Sequence, residues 1–147
     1  MSDPIVITSQ LGLEHRVALE QLLFFNANQH RVRDGILQSI EIYGAPEIYV
    51  QDASLRIRVG DIDGVQTLFA VSGTGRPRGV AVFVRLARER LVVLHLVVEP
   101  RWGAALDVNT AVLLRLMHEI RGAARRTRGV ARIELVYKER HPMRLNS

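Results

Sequence analysis

Cysteine is absent from the 147-residue chain, and with it go disulfides, thiolate nucleophiles, zinc-finger chemistry and ligated iron–sulfur clusters. Lysine is nearly absent: Lys138 is the only one, so the basic character is that of arginine. No long apolar run is present either. The longest, Leu91 to Val98, is interrupted by His95 and is less than half of the roughly 20 residues a bilayer span needs. The opening Met1-Ser2-Asp3-Pro4 lacks the basic stretch and apolar run of a secretory signal. Together these absences predict a cytoplasmic protein with no membrane partner. The histidines, His15, His30, His95, His118 and His141, never fall at the i, i+4 spacing that puts two ligands on one helical face, so no metal site is expected. No Gly-x-Ser-x-Gly elbow or Walker A sequence occurs, which removes the serine-hydrolase and P-loop classes. Gly73-Thr74-Gly75 reads as a hairpin loop, because no helix follows it.

What is present describes one domain. The length is near the mode for a single domain, and no repeat, low-complexity tract or Pro/Gly/Ser linker divides residues 1–147. Apolar residues make up 48% and charged residues 24%, proportions that argue against disorder. The formal charge of +5 hides an asymmetry. Residues 1–84 carry seven arginines against nine acids, whereas residues 85–147 carry thirteen bases against six acids. The arginines cluster at Arg121, Arg125, Arg126, Arg128 and Arg132. Two readings follow: a solvated face that complements a helix C-terminus, or a surface for nucleic acid, an acidic partner or a phosphorylated cofactor.

The hydrophobic periods predict an α+β fold. Residues 4–8 are a short β-prone run. Leu13, Val17, Leu22 and Phe25 follow helical spacing with Ser9 available as a cap, and a second helix over about 28–43 carries Val32, Ile36, Leu37 and Ile40 before Gly44 and Pro46 stop it. Then Leu55-Arg56-Ile57-Arg58-Val59 alternates strictly, and the stretch to Val98 reads as an antiparallel meander of three or four strands. Its last member, Leu91 to Val98, is apolar on both faces and is expected to be central. By parity, His95 shares a face with Leu91, Val93, Val97 and Glu99. A helix from about 108, capped by Asp107 or Asn109, places Leu113, Leu116, Met117, Ile120 and Ala124 on one stripe and ends at Gly129. Residues 130–137 form a last strand, and 138–147 a polar tail.

This order, with the strand–Val98-Glu99-Pro100–helix junction, resembles the GNAT superfamily of acyl-CoA-dependent N-acetyltransferases, most sharply over residues 91–136. The resemblance implies a mostly antiparallel central sheet with two N-terminal helices and one C-terminal helix packed on it. It implies acetyl-CoA as cofactor and a small-molecule or protein amine as acceptor, the amine attacking the thioester directly while the protein positions both and polarises the carbonyl. Carried onto this chain, Leu96, Val97 and Val98 would line the pantetheine arm. Arg101, Gly103 and the helix start at Asn109 and Thr110 would meet the pyrophosphate, since a helix N-terminus offers unpaired amides and partial positive charge. His95 and Glu99 are the candidate proton acceptors. Two features depart from the family. The phosphate loop has one glycine and places Asp107, an anion, near the pyrophosphate, and the chain stops ten residues after Tyr137. The second departure predicts a homodimer that covers strand 130–137. The competing reading is a non-catalytic GNAT-like module that binds a protein or nucleic acid through the arginine-rich half.

Overall fold

The computed structural model describes residues 5–24, 40–99, 106–135 and 143–144. Strand β1 (Val6–Thr8) leads through a 3-10 turn at Leu13–His15 into α1 (Arg16–Phe24), and residues 40–43 are helical again. A hairpin of β2 (Pro46–Gln51) and β3 (Ser54–Val59) precedes β4 (Gln66–Val71), β5 (Pro77–Ala87) and β6 (Arg90–Val98). Helix α2 (Leu106–Arg126) then crosses to β7 (Arg132–Leu135), and β8 (Met143–Arg144) ends the described chain.

The described strands form a six-stranded sheet in the order β1-β4-β5-β6-β7-β8, with β2-β3 as a separate two-stranded sheet. All pairs are antiparallel except β6–β7, where Arg90 to Val93 lie beside Arg132 to Leu135 in parallel. A parallel neighbour needs a crossover, and α2 is that crossover. Central β6 lies between β5 and β7, as its two-sided apolar run predicts. The expected meander holds for β4–β5–β6. Its first member does not: Leu55 to Val59 pairs with β2, which the sequence reading left out of the sheet because Pro46 and the charges of 46–53 mask its alternation.

The sheet is covered on both faces. On one, Leu19 and Leu23 of α1 and Leu55, Ile57 and Val59 of the hairpin pack against Phe69, Val80, Val82, Val92 and Leu94. On the other, Val112, Leu116, Met117, Ile120 and Ala124 of α2 pack against Ala81, Phe83, Leu91, Val93 and Ile133. The buried stripe of α2 thus centres on Leu116 and Ile120, with Leu113 only half-buried. Gly79 permits that contact, since a Cβ there would stand 3.0 Å from Val112 Cγ1 and 3.2 Å from Leu116 Cδ1. Gly44 ends the residue 40–43 turn at φ +103°, donating its N–H to the Ile40 carbonyl at 2.9 Å.

Three local expectations are corrected. The 3-10 turn is entered through Gly12 with no side-chain cap, so Ser9 does not cap α1. Helix α2 begins at Leu106, which places Asp107 and Asn109 inside it rather than at its cap. The tail is not wholly irregular: Ile133 pairs with Met143 and Arg132 with Arg144, so β8 occupies part of the β7 edge whose exposure motivated a dimer. Among the described residues, no helix is long and apolar enough to cross a membrane.

Candidate functional site

The pairing of β5 with β6 departs from regularity in the middle of β6. Val82 of β5 faces His95, but the next residue, Phe83, faces Val93, so Leu94 is one residue too many and forms a bulge. It directly follows Val93, the last β6 residue paired with β7 among the described residues. A bulge bends its strand and increases the local twist. The bulge thus lies within β6, one residue beyond the part paired with β7 among the described residues.

The bulge also overturns the parity argument. Leu91 and Val93 pack on the α2 side, whereas Leu94 and Val97 pack on the α1 side. His95 pairs with Val82, which belongs to the α1 side, and directly paired residues share a face. His95 thus keeps company with Leu94 and Val97 and is separated from Leu91 and Val93. Period-two counting fails here because the extra residue inverts it. His95 is 4% exposed, and burial, which disfavours the imidazolium, pushes its pKa down from 6.5 to about 4. The ring is neutral at neutral pH.

Glu99 follows the strand in a different setting. Its Oε1 accepts from Arg76 Nη2 at 2.8 Å and its Oε2 from Arg78 Nη1 at 2.7 Å, while its N–H donates to the Arg78 carbonyl at 2.7 Å. Two guanidiniums thus meet one carboxylate just after β6. These arginines, more than twenty residues upstream in sequence, escaped the sequence reading. The only available signal is that Arg76-Pro77-Arg78 opens the strand that neighbours β6.

Leu96, Val97 and Val98 lie on the strand end as expected, with Leu96 half-buried on the α2 side and Val97 on the other. Arg101 and Gly103 lie outside the described residues. Asn109 and Thr110 fall in the second part of the opening turns of α2. A helix that starts at Leu106 presents its unpartnered amides at Leu106, Asp107 and Val108, three residues earlier than the sequence reading placed them.

Some arginines of the basic half meet their own chain, whereas Arg121, Arg125, Arg126 and Arg128 of the predicted cluster are exposed. Arg85 donates to the carbonyls of Arg88 and Arg128, and Arg90 and Arg132 both pair with Glu134, at 2.7 and 3.1 Å.

The chain thus combines a parallel β6–β7 pair bridged by α2 with a bulge in its central strand. The chain covers 73% of an acetyltransferase of the GNAT family from Staphylococcus aureus Mu50 over 90% of its own length, with 12% identity and a TM-score of 0.54. A GNAT-family protein from Desulfovibrio desulfuricans is similar over 90% of this chain and 72% of its own, with 14% identity and a TM-score of 0.44, too low to bear on the fold by itself. No protein-family profile and no curated protein matches the sequence. The chain therefore has the GNAT fold, mixed α+β with a central, mostly antiparallel sheet. At 12% identity the likeness fixes the fold and leaves the chemistry to the site.

Proposed function

We propose that the chain binds acetyl-CoA along the end of β6 and transfers the acetyl group to a small-molecule or protein amine. The supporting observation is the bulge at Leu94 in the central strand that precedes α2. The residues are compatible with the cofactor electrostatically: Glu99, an anion that would repel a pyrophosphate, is paired with Arg76 and Arg78. Leu96 to Val98 would flank the pantetheine arm, and Arg101, Gly103 and the first turn of α2 would take the pyrophosphate. When bound, acetyl-CoA would supply the acetyl group, the amine nitrogen bonding to the carbonyl carbon, the C–S bond breaking and the amine proton passing to the departing CoA thiolate.

The roles of the two candidate acid–base residues change under this reading. A general base works best with a pKa near the working pH. His95, held near 4 and almost inaccessible, is instead a positioning residue that holds the bulge. Glu99, with both oxygens occupied, ties the end of β6 to Arg76 and Arg78 at the start of β5. Calorimetry with acetyl-CoA is the test. Saturable heat in wild type supports the reading; absence of heat in both wild type and Asp107→Asn removes it.

A further inference from the structure

We propose that the end of the molecule formed by the β5–β6 turn and the residues that close α2 docks on the phosphate backbone of a nucleic-acid duplex. This surface lies away from the end of β6. Helix α2 is 21 residues long, so at 1.5 Å per residue its two ends stand about 30 Å apart. Its early residue Val112 packs on Gly79 at the start of β5, whereas Gly129 beyond its last turn lies against Arg85 and Arg88. The surface is therefore independent of the acetyl-CoA reading.

Two segments distant in sequence build it. Residues 85–90 and 125–134 contain seven arginines and two glutamates, an excess equal to the whole formal charge of +5. The fold holds them side by side. The amides of Ala131 and Arg132 donate to the Glu89 carbonyl at 2.8 and 3.0 Å. Arg85 donates through Nε to the Arg88 carbonyl at 2.9 Å and through Nη2 to the Arg128 carbonyl at 2.7 Å. Arg90 and Arg132 share Glu134. Among the described residues no carboxylate pairs with Arg88, Arg125, Arg126 or Arg128, and all four are exposed. Like charges so gathered repel one another. An array of phosphates relieves that repulsion and releases its own counterions, and guanidinium forks match phosphate oxygens side-on.

The make-up of the patch selects the partner. A protein interface is centred on buried apolar and aromatic anchors, and a peripheral membrane helix buries an apolar face. Here Leu86, 38% exposed, is the single large apolar side chain in the open within these two segments. Single-stranded nucleic acid is held by stacking its bases on aromatic rings, and neither segment contains an aromatic residue. What the patch offers is contact with phosphates, which positions a duplex without reading its sequence.

The test is fluorescence anisotropy with a labelled DNA duplex of mixed sequence, titrated at several salt concentrations. With four arginines meeting phosphates, the logarithm of the affinity should fall against the logarithm of salt with a slope of about −3 to −4. Arg125→Gln/Arg128→Gln should roughly halve that slope and weaken binding by about tenfold or more at low salt. Its melting temperature and its acetyl-CoA binding should match wild type, since both side chains are exposed. The charge-matched pair Arg16→Gln/Arg58→Gln, also exposed but on the α1 and hairpin side, should bind the duplex as wild type does. An RNA duplex of the same sequence presents the same phosphates and should bind within about threefold. No binding at low salt, equal weakening by the two variant pairs, a strong preference for one duplex, or tighter binding of anionic lipid vesicles or polyglutamate would each overturn the proposal.

Discussion

At the scale of the residue, burial decides what His95 can do. An imidazole that charges at pH 6.5 when unfolded and only at about 4 when folded makes the unfolded state the stronger proton binder between those values. Stability is therefore unaffected by this group above pH 6.5 and falls as pH drops through the window to 4, by up to about 3 kcal/mol. Urea unfolding of wild type and His95→Gln at pH 7.0, 5.5 and 4.5 checks it: the wild-type loss on acidification should exceed that of the variant. A second residue carries strain of another kind. The β2–β3 turn places Asp52 at φ 54° and Ala53 at φ 58°, the left-handed pair of a two-residue hairpin, in which glycine is favoured. Ala53→Gly should raise stability by about 0.5–1 kcal/mol, read as a higher thermal midpoint.

At the scale of the element, the junction from β6 to α2 concentrates the charges. Asp107 lies in the first turn of α2, a position where a carboxylate favours the helix dipole but opposes an anionic ligand. Asp107→Asn should lower the melting temperature slightly and tighten acetyl-CoA binding by about 1 kcal/mol, and calorimetry beside thermal unfolding separates the two signs. Glu99→Gln removes the charge that Arg76 and Arg78 share. Because both arginines are well exposed, the cost should stay near 1 kcal/mol. The sequence disclosed these elements where period and punctuation agreed: the two-sided apolar run of β6, the α2 stripe, the glycine that stops the residue 40–43 turn. It concealed what depends on a partner strand. Nothing local in Val93-Leu94-His95 announces a bulge, since the extra residue is defined only against Val82 and Phe83. Nor does Glu99 reveal its arginines, because the contact arises from β5 and β6 lying antiparallel.

At the scale of the whole molecule, β8 changes the expected assembly. With Met143 and Arg144 beside Ile133 and Arg132, the β7 edge is partly covered, and light scattering should give the 16.6 kDa species. Deleting residues 138–147 should expose that edge and produce self-association at the same concentration. The parallel β6–β7 pair carries a different implication, about time. Strands β4, β5 and β6 are joined by tight turns and can zip together from neighbours in sequence, whereas β7 reaches β6 only after the whole of α2 has closed a long loop. During synthesis the central strand waits with one flank open until the chain has emerged past Leu135, and the region proposed for acetyl-CoA is the last part to take shape. Any nascent chain stalled before that point would carry a finished three-stranded meander and no binding cleft.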